Sequence, residues 1–310
     1  MKEKIHKINK FPVVFFVFRR PETAKKVLSE IIKSKPTKLY IFGDGPRNSE
    51  DLPMIVKTRE VVDTMLRKEN INVIKTYRKT NFGLRKNIIE SLDEVFLHED
   101  AAIILEDDCL PSTAFFDFCN TALNSYKNEE KINTVCGTNI DAKVGGRKFI
   151  LSKYFLPWGW ALWKRSWLEY KKINETELGL ILQNKSIGRI LSWYLLQVYN
   201  LSKIGRVSAW SYRMVIMQIV RDKFSLYPPC NTVSNIGFGD RSSNTAIITM
   251  GSNLKIGIQP KESTYETIPY QYSQDYDDQI AHKLYVTPIS VCGLILRKYF
   301  PDVIKYLYRK

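Results

Sequence analysis

The chain has 310 residues, of which 44% are hydrophobic and 25% charged. This is the composition of an ordinary globular protein that is large enough to bury a sizeable core, and it excludes a disordered or fibrous chain. The 47 Lys and Arg against 32 Asp and Glu give a net charge of +15. That balance favours anionic partners, namely nucleotides, nucleic acid or an acidic membrane surface, unless it only reflects the coding bias of the source. Because no helix-turn-helix, RNA-recognition or zinc-finger pattern accompanies the charge, we expect no nucleic-acid partner.

The cysteines and the two ends of the sequence indicate in which cellular compartment the protein is expected. Five cysteines without a CxxC pair indicate neither a disulfide framework nor a zinc site, and they suit a reducing compartment. The N-terminus lacks a signal-peptide pattern, and the longest uncharged run near the C-terminus, residues 284–296, is too short to span a bilayer. We therefore expect a cytoplasmic protein, either free or peripheral on the inner face of the membrane.

Strands and helices alternate through the first half. The apolar patterns predict strands at 11–18, 38–42, 71–77 and 101–105, and helices at 22–33, 50–68, 84–97 and from 111 onward. This order predicts an α/β fold with a mostly parallel sheet and helices on both faces. The second half is richer in tryptophan and less regular, but no linker separates it from the first half.

Three consecutive carboxylates, Glu106, Asp107 and Asp108, follow the fourth predicted strand. Acids at the carboxyl end of a parallel strand lie at the edge where α/β sheets bind ligands. Adjacent acids repel one another, so a divalent cation with hard oxygen ligands, shared with a diphosphate, fits this position. The alternative is a solvated acidic turn.

Six short motifs occur along residues 11–245. They are Val17-Phe-Arg-Arg-Pro21, Phe42-Gly-Asp-Gly-Pro-Arg47, Asn81-Phe-Gly-Leu84, Leu105-Glu-Asp-Asp108, Trp158-Gly-Trp-Ala-Leu-Trp163 and Ser234-Asn-Ile-Gly-Phe-Gly239. Each is weak alone, but the ordered set resembles bacterial sugar transferases of the GT-A type, related to glycosyltransferase family 2. The set is more distantly similar to the eukaryotic N-acetylglucosaminyltransferase I group. The resemblance implies a GT-A fold, that of the nucleotide-diphospho-sugar transferases.

The resemblance also implies how a nucleotide-sugar donor is held. Asp108 takes the place of the family's ligand for Mn²⁺ or Mg²⁺, and Asp107 and Glu106 would reach hydroxyls of the ribose or of the donor sugar. Asp44 matches the acid that contacts the base; the alternative is a turn residue that caps its own loop. Arg20 matches an arginine that suits the nucleotide or its diphosphate.

Two of these assignments have further alternatives. Arg20 could be a surface charge at a helix start, with Arg19 as the true counterpart. Asn81 and Gly83 resemble the family's donor-side loop, although Asn-x-Gly is also an ordinary turn. All four residues follow predicted strands, where the resemblance places the donor.

The tryptophan-rich segment at 158–163 resembles the family's loop between donor and acceptor. Indoles stack on the apolar faces of sugars and keep an N–H for a hydroxyl. We expect Trp160 to face the substrate, and Trp163 and Trp167 to lie on the buried face of the following helix. The alternative is core packing for all three.

Two departures from the family pattern concern the acceptor side. Ser211 stands where the family has an Asp that deprotonates the acceptor, and a serine hydroxyl is no general base near neutral pH without activation. Asn244 replaces a His that helps to hold metal or diphosphate, which predicts a weaker metal site. Either Asp240 or Asp222 is the base, or the reaction needs none, or activity is reduced, unless the motifs are offset. Asp240, which follows a Gly-rich turn, is the preferred candidate.

Residues 290–310 mix aromatic and aliphatic side chains with five basic residues and one acid. This composition is typical of an interfacial helix on anionic lipid. The alternative is a helix packed on the domain with a basic outer face.

The sequence thus predicts a metal-dependent glycosyltransferase that moves a sugar from a nucleotide-diphosphate sugar, with a UDP-sugar as first choice. The acceptor would be a hydroxyl of a surface polysaccharide or a lipid-linked glycan. We expect a nucleotide-sugar-binding half (1–140), an acceptor-binding half (141–289) of the same GT-A unit, and a basic amphipathic tail (290–310). One alternative is a sugar nucleotidyltransferase, although residues 11–30 lack its Gly-rich loop with a lysine. The other is a non-catalytic glycan-binding or scaffold protein with a degenerate GT-A fold.

Overall fold

The computed structural model describes residues 9–141, 148–184, 186–207, 210–237 and 270–299. In these ranges the strands are β1 (Val13–Val17), β2 (Lys38–Gly43), β3 (Asn72–Tyr77), β4 (Ala101–Glu106), β5 (Cys109–Pro111), β6 (Ile132–Cys136), β7 (Phe149–Ser152), β8 (Trp160–Trp163), β9 (Phe224–Tyr227), β10 (Val233–Asn235) and β11 (Tyr270–Tyr272). The helices are α1 (Pro21–Lys33), α2 (Leu52–Leu66), α3 (Gly83–His98), α4 (Thr113–Ser125), α5 (Lys164–Lys172), α6 (Glu175–Gly179), α7 (Arg189–Lys203), α8 (Ser211–Val220), α9 (Gln274–Ile280) and α10 (Pro288–Tyr299). A 3-10 turn (Leu180–Gln183) follows α6, and a π-helical turn (Ala281–Tyr285) follows α9.

Nine strands form one sheet in the order β11-β7-β9-β6-β8-β4-β1-β2-β3, and β10 pairs with β5 in a separate ribbon. β1 runs parallel to β2 and β4, and β2 runs parallel to β3. β8 is antiparallel to both of its neighbours, β4 and β6. Further along, β6 is parallel to β9 and β7 to β11, whereas β7 and β9 are antiparallel. The mostly parallel sheet is therefore confirmed.

Two apolar cores cover the two faces of the sheet. Every residue of β1 is buried, because a central parallel strand is covered on both sides. Phe15 packs with α1, α2 and α4 on one face, whereas Phe16 packs with α3 and the helices of the second half on the other. Helices on both faces, as the sequence predicts, are thus confirmed, and the chain has an α/β fold.

The predicted strands and helices of the first half all form, and each begins or ends within two residues of its predicted limit. Helix α1 shows why the pattern is informative. Pro21 occupies its first turn, where the missing N–H costs nothing, and apolar residues at helical spacing from Ala24 to Ile31 are all buried. Strands from both predicted halves share the sheet, since β6 pairs with β8 and β9.

Helix α10 begins two residues before the predicted tail and packs on α7. Leu294 is 3% exposed and belongs to the core, and Lys298 Nζ donates to Gln197 Oε1 at 2.7 Å. For 288–299 the structure therefore favours the packed-helix alternative, while 300–310 lie outside the described residues. Across the described part of the chain, none of the helices combines the length and apolar character that a bilayer crossing requires.

Asp277 ties α9 to the edge of the sheet. Its carboxylate accepts hydrogen bonds from the Ser152 hydroxyl at 2.6 Å, the Tyr272 hydroxyl at 3.0 Å and the Lys153 N–H at 3.2 Å. Burial, only partly offset by these donors, raises the pKa of Asp277 from 3.8 to about 6. The folded chain therefore binds this proton more tightly than the unfolded chain does.

A pH-dependent stability difference follows for Asp277→Asn. Ionisation of Asp277 costs the folded state nothing below pH of about 4 and the full amount above pH of about 6. This pKa difference corresponds to about 3 kcal/mol. We expect the variant, which cannot ionise there, to gain up to that amount relative to wild type between pH 4 and 7, measured by urea unfolding. Asp275→Asn, an exposed site on the same helix, is the control; a variant-to-wild-type difference that is constant with pH would contradict the assignment.

Candidate functional site

The order of the sheet reverses between β1 and β4. From β1 the chain proceeds through α1 and α2 to β2 and β3 on one side, and it then returns through α3 to β4 on the other side. α1 and α2 cover one face of the sheet and α3 covers the opposite face. Such a reversal opens a crevice outside the carboxyl ends of the two strands, which is where open α/β sheets bind ligands.

Arg20 and the acidic triplet meet in this crevice. The Arg20 guanidinium forms an ion pair with the Asp108 carboxylate and lies 3.4 Å from Asp107 Oδ1. The Phe18 N–H donates to Asp107 Oδ2 at 2.9 Å. The loop that follows β1 is therefore bound directly to the loop that follows β4, and the solvated-turn alternative does not describe these acids.

The charges of this cluster are partly buried. Burial raises the pKa values of Glu106 and Asp107, and the neighbouring Asp108 raises both further, while Arg20 opposes the rise. Burial alone would lower the pKa of Arg20, but the carboxylates of Asp108 and Asp107 raise it above its ordinary value. Three carboxylates thus face one cation, and the crevice favours additional positive charge.

The end of β10 covers Asp108. The Ile236 N–H donates to the Asp108 carbonyl at 2.8 Å, and a Cβ on Gly237 would lie 2.5 Å from Asp108 Oδ2. Only a residue without a side chain allows this approach. The structure therefore brings part of the sixth motif, at 234–237, against the fourth.

A second cluster joins the loops after β2 and β3. Asp44 is 6% exposed. Its carboxylate accepts from the N–H groups of Gly45 and Phe82, both at 2.8 Å, from the Gly83 N–H at 2.9 Å, and from the Asn81 amide at 3.1 Å. An acid at the first turn of α3 also stabilises the helix dipole. Gly83 has φ of 73°, a conformation that favours glycine.

The structure therefore brings Asp44, Asn81 and Gly83 together, and their hydrogen bonds hold the loop after β2 against the loop after β3. Asp44 does more than cap its own turn, because it holds two loops at the carboxyl edge of the sheet. Its contact with a nucleotide base stays a prediction.

We expect Asp44→Ala to destabilise the fold and to weaken the binding of bare UDP. The substitution leaves the buried N–H of Gly45 and the half-buried N–H groups of Phe82 and Gly83 without this acceptor, and a buried donor that loses its acceptor costs about 1–3 kcal/mol. Urea unfolding and calorimetric titration with UDP measure the two effects. Asn81→Ala, which removes one of the four donors and leaves the carboxylate in place, is the milder control. Unchanged stability together with unchanged UDP affinity would show that Asp44 neither braces the loops nor serves the nucleotide.

An ion cluster around one buried acid, which the sequence analysis missed, lies beside the crevice. Asp51, 2% exposed, accepts from Arg47 Nε at 2.6 Å, from Arg47 Nη2 at 2.8 Å and from Arg19 Nη1 at 2.9 Å. Arg19 therefore pairs with Asp51, and Arg20 is the arginine that contacts the acidic triplet. Arg47 and Asp51 both precede α2, so the helical i,i+4 rule does not apply to them and no local sequence signal marks this pair.

The prediction that Trp160 faces the substrate is wrong in this structure. Trp160 is 1% exposed and packs against Phe155 and Trp210, with ring centroids 5.0 and 5.4 Å away. The reason is its register, since it lies opposite Ile104 inside the sheet. Trp160 is therefore a core residue.

Trp158 lies in the loop before β8 and packs against both cores. The paired register of β4 and β8 ends at Ile104 and Trp160, and Gly159, with φ of 66°, separates Trp158 from the strand. The side chain of Trp158 is half-buried. A Cβ on Gly159, one residue later, would lie 3.4 Å from Leu105 Cδ2, which confirms that this loop runs beside the end of β4.

Trp163 and Trp167 are buried, as expected, but only Trp167 lies on a helix. Trp163 ends β8 and donates its indole N–H to the Leu123 carbonyl at 3.0 Å. Trp167 lies on α5 and donates to Asp93 Oδ1 at 2.8 Å. Both side chains serve packing.

The acceptor-side residues fall in different places. Ser211 begins α8 and lines a cavity together with Trp158. Asp222 is exposed, pairs with Lys131 at 3.4 Å and precedes β9, at the amino edge of the sheet. Because the crevice opens at the carboxyl edge, Asp222 is no candidate for the base. Asp240 and Asn244 lie outside the described residues.

Asp108, the predicted metal ligand, is paired with Arg20 in this structure. Within the described ranges, no group of three or more His, Cys, Asp or Glu side chains is arranged to hold a metal ion. Mg²⁺, however, is usually bound through one or two carboxylates together with substrate phosphates. Asp108 offers one such carboxylate, and its binding of a metal ion shared with a diphosphate stays a prediction.

Comparison with known proteins adds little to this site. No family model matches the chain, and no curated protein matches it. One similar solved structure is the crystal structure of 4-diphosphocytidyl-2C-methyl-D-erythritolsynthase from Anaerococcus prevotii DSM 20548. It is 11% identical, with a TM-score of 0.32, and the match covers 53% of this chain and 75% of that one. A similarity of this size carries no argument about function.

Proposed function

We propose that the chain is a metal-dependent GT-A glycosyltransferase. It transfers a sugar from a nucleotide-diphosphate sugar, with a UDP-sugar as first choice, to a hydroxyl of a surface polysaccharide or lipid-linked glycan. The observation that supports this most is the crevice between β1 and β4. There one arginine, Arg20, and two carboxylates, Asp107 and Asp108, converge where the sheet order reverses.

The chemistry of a donor diphosphate suits this arrangement. The Arg20 guanidinium offers planar, charge-assisted donors to phosphate oxygens. Asp108 would hold Mn²⁺ or Mg²⁺, which supplies positive charge to the leaving diphosphate. Asp107, held by the Phe18 N–H, and Glu106 can each accept a hydrogen bond from a ribose or sugar hydroxyl.

The acceptor belongs on the Trp158 side of Glu106 in this proposal. Trp158, in the loop that runs beside the end of β4, has a half-buried indole, and an indole stacks on the apolar face of a sugar. Asp240 as the base, with Ser211 at the position where the family has an acid, rests on the sequence alone. Contact with an anionic membrane likewise rests on the composition of 290–310.

A donor screen tests the proposal. Calorimetric titrations with UDP-, GDP-, CDP- and dTDP-sugars, with Mn²⁺ and with EDTA, should show one nucleotide class that binds only with metal. Release of the corresponding nucleoside diphosphate on incubation with that donor would show transfer or hydrolysis. Pyrophosphate release from a nucleoside triphosphate and a sugar phosphate would instead identify a nucleotidyltransferase. Glycan binding without any nucleotide binding would identify a scaffold.

A further inference from the structure

Two helices of the second half, α7 and α10, pack side by side. Lys298 Nζ on α10 donates to Gln197 Oε1 on α7 at 2.7 Å and lies 5.8 Å from the centre of the Trp193 ring. One side of each helix enters the apolar core, through residues such as Leu195 and Leu294, which are 0% and 3% exposed. The outer sides of the two helices therefore adjoin one another.

Large apolar side chains lie on these outer sides. On α7, Ile190 is 68% exposed, and Trp193, one helical turn further on, is half-buried. On α10, Ile295 and Tyr299, also one turn apart, are 39% and 60% exposed. Lys298 joins the two groups, since it lies near the rings of both Trp193 and Tyr299. A single exposed apolar residue is ordinary, whereas a group of them on adjoining helices marks an interaction surface.

The charge on this surface is positive. The chain has 32 acidic residues, but neither α7 nor α10 contains an Asp or a Glu, and each contains two basic residues. At the far end of α7, Lys203 pairs with Glu175 at 2.9 Å. The positive charge is therefore greatest near Arg189, which is exposed, and near Lys298.

This combination of side chains selects the partner. Apolar and aromatic side chains gain free energy when they leave water for the boundary between lipid headgroups and acyl chains, and indole and phenol rings favour that depth. Lys and Arg beside them attract anionic headgroups. Nucleic acid would bind through the charge but would make no use of exposed isoleucines. A second copy of the same surface would bring like charges together.

We infer that the adjoining outer faces of α7 and α10 bind the surface of an anionic lipid bilayer. Ile190, Ile295 and Tyr299 enter the headgroup region, and Arg189 and Lys298 lie beside the lipid phosphates. The contact belongs to a folded surface to which α7 contributes half, in contrast to a tail at 290–310 that acts alone. The inference does not depend on the proposed chemistry, because lipid binding and nucleotide binding are separate measurements.

Co-sedimentation of the full-length protein with vesicles tests this surface. Vesicles of phosphatidylcholine alone are compared with vesicles of equal parts phosphatidylcholine and phosphatidylglycerol, at low and at raised ionic strength. We expect wild type to prefer the anionic vesicles and to bind them more weakly as salt screens the basic residues. Failure to bind either kind of vesicle at low ionic strength would overturn the inference.

Two substitutions separate the apolar part of the contact from the charged part. Ile190→Asn should weaken binding to anionic vesicles by about tenfold or more, because the bilayer then no longer buries a large aliphatic side chain. Arg189→Gln should weaken it by about fivefold through the loss of one charge at the lipid surface. The matched controls lie on helices that cover the opposite face of the sheet. They are Val56→Asn, 43% exposed on α2, and Lys26→Gln, exposed on α1, and both should bind as wild type does.

The remaining outcomes also decide. If wild type binds the vesicles and both Ile190→Asn and Arg189→Gln bind them equally well, the lipid contact lies elsewhere in the chain and the inference is wrong. If Ile190→Asn converts a dimer to a monomer in sedimentation velocity and leaves vesicle binding intact, the surface joins two copies of the chain and the inference is again wrong. Ile190→Asn should keep the wild-type affinity for UDP with Mn²⁺, and absence of nucleotide binding in wild type would refute the proposed function alone.

Discussion

Asp108→Asn should weaken metal-dependent nucleotide binding by at least about 30-fold while the chain stays folded. The asparagine keeps the size of the side chain, which matters because Gly237 leaves no spare room beside it. It removes the negative charge that Arg20 contacts and that a shared cation would need. Removing one partner of a partly desolvated charge pair costs about 2–5 kcal/mol, which is about 30- to 4,000-fold in the affinity for UDP with Mn²⁺.

The matched control lies at the other end of the same strand. Asp100 is exposed and precedes β4 at the amino edge of the sheet, so Asp100→Asn should leave UDP affinity within twofold of wild type or so. Calorimetric titration with UDP, with Mn²⁺ and with EDTA, reads both variants, and circular dichroism checks folding. A folded Asp108→Asn protein with wild-type affinity in Mn²⁺ would remove Asp108 from the site.

The order and type of the elements in the first half could be predicted because their information is local. Strand β1 is a continuous apolar run and α1 has apolar residues at helical spacing, and each pattern is readable without knowing its partners. The parallel sheet then follows from the alternation of strands and helices. The position of the acidic triplet at the carboxyl edge follows in turn from β4.

The tryptophan assignment could not be predicted from local pattern. Strand β8 is four residues long, and its burial pattern shows no alternation because it is covered on both faces. Its register is set by β4, far away in sequence. That register decides that Trp160 enters the core, which composition does not reveal.

The choice between Arg19 and Arg20 could not be made from the local sequence pattern either. Arg19 and Arg20 both follow β1, and either one suits a diphosphate by chemistry alone. Asp51 resolves the choice, since it is buried and takes Arg19 as a partner. A long-range ion pair of this kind is set by the packing of α2 against α1, which the sequence does not specify locally.

Arg20 would have different partners in the empty crevice and in the crevice with a bound ligand. Without a ligand, its guanidinium neutralises part of the charge of Glu106, Asp107 and Asp108. With a diphosphate and a cation present, the same donors would be available to phosphate oxygens. In the proposed function, one side chain would thus compete with the cation for Asp108 and also bind the nucleotide.

Arg20→Gln separates these two roles because they have opposite signs. Loss of the positive charge next to Asp108 should raise the affinity for Mn²⁺ alone, since the carboxylates then have no internal counter-ion. Loss of the charged donors should lower the affinity for UDP at saturating Mn²⁺ by about 1.5–3 kcal/mol, or about 10- to 150-fold. Titrations with Mn²⁺ alone, and then with UDP, measure the two effects on one sample.

Two controls make the Arg20 result specific. Arg19→Gln removes the same charge one residue away, but from the ion pair with Asp51. It should therefore not raise the affinity for Mn²⁺ while lowering the affinity for UDP. Arg20→Lys keeps the charge and loses the planar fork, and it should restore Mn²⁺ affinity to wild type while recovering only part of the UDP affinity. If Arg20→Gln lowers both affinities, the arginine organises the acids rather than competing with the cation. If it lowers neither, the crevice between β1 and β4 does not hold the diphosphate.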